Sequence, residues 1–309
     1  MPSEAAAYRC EMGKIYVGTC NWADFKDWYP SGLKPGERLR YYATQFSVVE
    51  IDSTFHTLMP RRNFESWASN TPDEFVFDVK AYRTLTRHGS SYEPGRRHSD
   101  AEPSDDPPDE DFAKFRYQIE PLRECGKLRA IQFQFPPWFA RTPSSVEHIE
   151  VCREYFLDYL IAVEFRNRTW LEPEFADETF SFLRKLNITY TIADEPQVGT
   201  GTVPPTVAVT NPDLAVIRFH GRNAQKWYAR GGESSRDRYD YLYGEEELGA
   251  WVPVIIDLAE QTQEVHILMN NNVAGQGLVN GKQFQQLLKP YVVMPSDDQG
   301  EVQTEMQFG

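Results

Sequence analysis

Eight short segments of this chain carry apolar residues in alternating or continuous runs, and each ends in a polar cluster. They are KIYVGTCNW (14–22), FSVVEIDSTF (46–55), EFVFDVKAYR (74–83), AIQFQFPPW (130–138), LIAVEFRNRTW (160–170), ITYTIADEP (188–196), LAVIRFHGRN (214–223) and VHILMNNN (265–272). Stretches long enough for a helix separate most of them; LRYYATQF (39–46) reads as a helix start, and NFESWASN (63–70) as a helix ending near Thr71-Pro72. Strand followed by helix, repeated eight times, predicts an α/β fold of the TIM type, a closed (β/α)8 barrel. Residues 197–213 hold turn formers in place of helical periodicity, so one outer helix is expected to be missing or replaced.

Within the strands the alternation is unusual. Parallel strands covered by helices normally read as continuous apolar runs. Here Val49 and Ile51 alternate with Glu50 and Asp52, Phe77 and Val79 with Asp78 and Lys80, and Phe133 and Phe135 with Gln132 and Gln134. Val163 and Phe165 alternate with Glu164 and Arg166, and Ile217 and Phe219 with Arg218 and His220. If the apolar set packs against helices, the polar set points into the barrel, where each unpaired charge is expensive. Such a cost suggests a site at the mouth formed by the C-terminal strand ends.

The chain of 309 residues, 40% hydrophobic, suits one barrel domain over residues 14–290, with an N-terminal extension (1–13) and a flexible tail (291–309). Residues 89–111, rich in Pro, Ser and acid, read as a solvated loop insertion, with a lid over the mouth as the alternative. A net charge of −14 argues against broad adhesion to nucleic acid or an anionic membrane. No apolar stretch approaches the length of a membrane span and no signal peptide is evident, so a cytoplasmic protein is expected. The cysteines at 10, 20, 125 and 152 lack metal-ligand or disulfide spacing. Neither a GxxxxGK nor a GxGxxG pattern is present, so nucleotide cofactors have no support.

The wording of the strand ends is similar to the YecE-like, or DUF72, family: VGTCNW, WYP, VEIDSTFH, WASNTP, FVFDVKAYRTLTRH, IQFQFPPWF, AVEFRNRTW, ADEP, RFHGRN with WY, YDYLY and MNNN. The resemblance runs in unbroken order over about residues 14–290. It implies a TIM barrel of unestablished activity. One departure stands in the first motif, usually GTSGW, where this chain has Cys20-Asn21 for Ser-Gly.

The chemistry is therefore sought at the mouth. Glu164, Asp194 and His220, followed by Asn270 and Asn271, end successive strands, an order resembling the Glu, Asp, His, Glu set of the xylose-isomerase-like barrels. Such a set suits a divalent metal (Mn, Zn, Fe or Co) that polarises a carbonyl or acidifies a water. Without metal, His220 is the candidate acid or base with Glu164 or Asp194 beside it. Lys80 offers a Schiff base, an anion holder, or simply a salt bridge to Glu50, Asp52 or Asp78. Arg166, Arg218, Arg222 and Arg83 supply forks for a carboxylate or phosphate, with Gln134 and Glu50 as further polar contacts. Trp22, Tyr82, Trp170 and Trp227, together with Phe55, Trp138, Tyr228, Tyr239 and Tyr241, offer faces for a sugar or base, or else pack the rim. The expectation is an enzyme using acid-base chemistry on a small anionic or sugar-like substrate. The alternatives are a nucleic-acid-processing or nucleotide-binding protein and a non-catalytic ligand-binding protein. Oligomeric state is not legible.

Overall fold

The computed structural model describes residues 12–89, 106–228 and 237–295. Eight parallel strands close into a barrel in chain order: β1 (Lys14–Thr19), β2 (Val48–Ile51), β3 (Val76–Lys80), β4 (Leu128–Gln134), β5 (Leu160–Glu164), β6 (Thr189–Asp194), β7 (Leu214–Phe219) and β8 (Glu264–Met269). Closure is by β1 on β8, in register from Lys14 opposite Glu264 to Thr19 opposite Met269. Seven α-helices are described: α1 (Arg38–Ala43), α2 (Arg61–Ser69), α3 (Asp109–Glu124), α4 (Pro143–Tyr155), α5 (Ala176–Lys185), α6 (Glu245–Gln261) and α7 (Gln276–Leu287). None lies between β6 and β7, as the turn-rich residues 197–213 predict.

Helix ends follow local chemistry. The Oγ1 of Thr142 accepts the Ser145 N–H at the start of α4, with Pro143 where a missing N–H costs nothing. Acidic residues occupy the first turns of α3, α5 and α6, complementing the helix dipole. Two boundaries differ from the sequence reading. Asp109, Glu110 and Asp111, expected at the end of the loop insertion, are the first turn of α3; residues 90–105 of that insertion lie outside the described residues. The segment expected to fray from residue 291 begins docked: Val292 bridges to Ile15, and Ser47 donates to the Val293 carbonyl.

The strand alternation sorts side chains as the pattern predicts. Val49, Ile51, Phe77, Val79, Phe133, Val163, Ile217 and Phe219 join the core between barrel and helices. Phe135, Phe139, Trp170 and Phe165 stack there in sequence, and the Trp170 indole donates to the Phe139 carbonyl at 2.8 Å. A separate apolar cluster, including Tyr16, Cys20, Val48, Ala130, Ala162, Val216 and Leu268, occupies the barrel interior. Cys20, Ala130 and Ala162 in it are small, which leaves room in the pore for longer charged side chains. No described helix is long and apolar enough to cross a membrane.

Candidate functional site at the barrel mouth

The inward-facing charges form one buried network. Arg218, fully buried at the pore centre, reaches Glu50 Oε1 at 2.8 Å, Glu164 Oε2 at 2.5 Å and Gln134 Oε1 at 3.0 Å. Glu164 Oε1 accepts from Arg166 and from His220, both at 3.0 Å. Arg166 Nη2 in turn lies 2.9 Å from Glu195 Oε2, while the other Glu195 oxygen accepts the Val203 N–H at 2.7 Å. Charge-assisted bonds of this kind are what make burial of so many ions tolerable.

These contacts set protonation. Burial alone would raise the Glu164 carboxyl, but Arg218, His220 and Arg166 outweigh it and hold Glu164 well below the usual carboxylate range. Burial dominates at His220 and pushes it down to about 3 despite Glu164. The hydrogen bonds agree: with the Asn270 amide donating to Nδ1 at 2.8 Å, the ring is neutral and Nε2–H donates to Glu164. Both ring nitrogens are thus engaged and the side chain is sealed, so His220 positions Glu164 and has no lone pair to offer at the mouth. Cys20 is likewise sealed, its thiol raised well above the usual range chiefly by burial; that environment suits an inert thiol.

Above this network opens a cavity of about 410 Å³. Its wall includes Asp52, Lys80, Gln134, Arg166, Asn270 and Asn272, with Phe55, Trp138 and Tyr239 as aromatic faces. Lys80 Nζ donates to Gln134 Oε1 at 3.0 Å and sits 4.8 Å from the centre of the Phe55 ring. Among the described residues no side chain donates a hydrogen bond to Asp52. Its carboxyl is pushed up to about 7, by burial first and by the charges of Glu50 and Asp24, with Lys80 and Arg218 pulling the other way. Burial also raises Glu195 to about 7 against the pull of Arg166. Glu50, Asp52, Glu164 and Glu195 thus crowd around Lys80, Arg166 and Arg218, with Asp24 and Arg238 also on the cavity wall, and ionising every one of these carboxyls at once is costly.

Of the residues expected at the site, Lys80, Gln134, Arg166 and Asn270 line the cavity. Glu50, Glu164, Arg218 and His220 are buried and are not among its lining residues. Trp227 packs its ring 5.2 Å from the Arg166 guanidinium. The others are elsewhere. Asp194 faces α6, where it accepts from Arg222 (2.8 and 2.5 Å), Tyr243 (2.8 Å) and Trp251 (3.2 Å). Arg222 is consumed by that pairing and by Glu247 at 3.1 Å. Asn271 is buried against the Tyr241 carbonyl and Asn280. Trp170 belongs to the outer stack, Trp22 packs edge-on to Trp67, and Arg83 lies over Tyr82 in a short 3-10 turn outside the cavity lining.

The metal set therefore does not assemble. Asp194 points away from the pore, both oxygens of Glu164 are taken by arginines and His220, and both nitrogens of His220 are bonded. Among the described residues no group of three His, Cys, Asp or Glu side chains is placed to hold a metal ion. The cavity wall also holds Asn21, Asp24 and Arg238. Two inward residues that the sequence reading did not make site residues belong to the site as well: Asp52 on the wall, expected only as a salt-bridge partner of Lys80, and Glu195 beneath Arg166. Strand parity marks both, since Asp52 shares the inward phase of Glu50, and Glu195 that of Thr191.

The family model described as protein of unknown function DUF72 matches residues 16–302. The UPF0759 protein YunF of Bacillus subtilis (strain 168) is 36% identical over 276 residues, covering 89% of this chain and 94% of that protein. A crystal structure of a DUF72 family protein from Enterococcus faecalis V583 superposes with a TM-score of 0.80 at 28% identity, over 93% of this chain and 100% of that one. One from Thermotoga maritima MSB8 gives 0.73 at 35% identity, over 89% and 99%. By sequence and by fold, this chain belongs to the DUF72 family, whose function is unknown.

Proposed function

We propose that the protein is an enzyme that moves a proton on a small sugar-like substrate held in the barrel mouth, with Asp52 as the acid-base group. The observation that carries this reading is Asp52 itself, a cavity-wall carboxyl lifted to about 7 beside the Lys80 ammonium. A carboxyl poised near the working pH gives and takes protons with little cost either way. Lys80, Gln134 and Asn270 supply donors for an oxygen that gains negative charge as the proton leaves. Phe55, Trp138 and Tyr239 supply faces for a sugar ring.

The charge balance favours a polyhydroxylated ligand over a phosphorylated one. Arg218 and Arg166 already face carboxylates, so a phosphate dianion would enter a mouth whose deep arginines are spent. A thermal-shift panel of free sugars, sugar acids and sugar phosphates, followed by NMR detection of deuterium incorporation in heavy water, tests both points. A sugar-like compound is expected to bind and exchange. Asp52→Asn is expected to keep binding and lose exchange by at least about 100-fold, the usual range for a general acid-base group. Exchange at the wild-type rate in Asp52→Asn, or stabilisation by phosphates alone, would contradict the proposal.

A further inference from the structure

Where β1 opens into the mouth, Asn21 adopts φ 140°, a backbone region that glycine enters freely and side-chain-bearing residues rarely do. The surroundings enforce it: Thr19 Oγ1 donates to the Asn21 carbonyl at 2.6 Å, the Cys20 N–H bonds to Met269 at 2.9 Å, and Asn272 donates to the Cys20 carbonyl at 3.3 Å. Strain of this kind persists where the side chain has a task. The Asn21 side chain grips one residue twice, its Nδ2 donating to Asp24 Oδ2 and its Oδ1 accepting the Asp24 N–H, both at 3.2 Å. Asn21, Asp24 and Asp52 all line the same cavity.

We infer that Asn21 is a positioning residue, kept in a strained backbone because it fixes Asp24 as a second carboxylate of the mouth, on the cavity wall that both share with Asp52. This rests on the acid-base reading of Asp52. The groups that act most on Asp52 are Lys80 from β3, Glu50 from its own strand, Asp24 from the loop after β1 and Arg218 from β7; His56, His88, Arg166 and Arg238 line the same cavity, and Asp24 is the group that Asn21 holds. With Asp24 fixed, its negative charge favours the protonated form of Asp52. A glycine at position 21 would keep the backbone, relieve the strain and remove both of these bonds to Asp24.

The test compares wild type, Asn21→Gly and Asp24→Asn by thermal melting and by carbon-13 NMR titration of the Asp52 carboxyl, neither of which needs a substrate. The expected result is a melting temperature that rises in Asn21→Gly, together with an Asp52 midpoint that falls in both variants. An unchanged midpoint in Asn21→Gly would reduce Asn21 to a loop closure and overturn the inference, whichever way stability moved. A wild-type midpoint in the ordinary carboxylate range would instead sink the acid-base reading, while the difference between wild type and Asn21→Gly would still decide the role of Asn21.

Discussion

Arg218→Met is expected to destabilise the protein by about 3–5 kcal/mol, the usual cost of stranding buried charges. Arg218 is fully buried and bonds Glu50 and Glu164, which are fully buried themselves. Methionine fills similar space without a charge. Glu164 would keep Arg166 and His220, but Glu50 would lose the closest cation that opposes its burial. Burial raises Glu50 already, with Arg218 the largest opposing influence, so in the variant Glu50 should take up a proton. Adding Glu50→Gln to Arg218→Met is then expected to recover on the order of 1 kcal/mol or more, because the stranded carboxyl is gone. Urea denaturation of the three proteins measures this. A single variant within about 1 kcal/mol of wild type would mean that the network does not hold the pore together.

The second large effect is a pH dependence at the opposite end of the pore. His266 is fully buried, with Nδ1 2.7 Å from Asp78 Oδ2 and Nε2 3.4 Å from Glu264, whose carboxylate is also held by Arg129 at 2.9 Å. The Tyr16 ring packs edge-on to it. Burial alone would lower His266, but Asp78 and Glu264 outweigh it and raise the imidazole to about 9. A folded-state value above the unfolded value of roughly 6.5 contributes stability that is fully present below about pH 6.5 and is lost as pH rises toward 9. The shift corresponds to on the order of 3 kcal/mol. Wild type should lose stability steadily between about pH 6.5 and 9, and His266→Gln should be less stable at pH 6 and much flatter across that window. Parallel curves for the two proteins would show that His266 is not charged in the fold.

Strand count and side-chain facing were legible because a barrel strand has two faces and the alternation labels them. The same rule explains both an error and an omission at β6. Thr189 and Thr191 bond within the pore, so parity sends Asp194 outward and Glu195 inward; proximity to a strand end suggested the reverse. Asp52 shared the phase of Glu50 but looked like a salt-bridge partner for Lys80, because burial, which sets its proton affinity, has no local sequence signature. Pairing across the pore was not legible either. Arg218 meets Glu50 from 168 positions away and Glu164 from 54, a choice made by which strands face each other at one height. Trp170 and Trp227 show the same limit, since both follow strand ends yet one packs the outer layer and the other backs Arg166.

The central claim is that the barrel's inward charges serve a cavity carboxyl poised near neutrality. Carbon-13 NMR titration of the Asp52 carboxyl in the wild-type protein tests it most directly, with Asp52→Asn to assign the resonance. The expected midpoint is about 7. A midpoint near the ordinary aspartate value of roughly 4 would contradict the account and leave the mouth without its acid-base group.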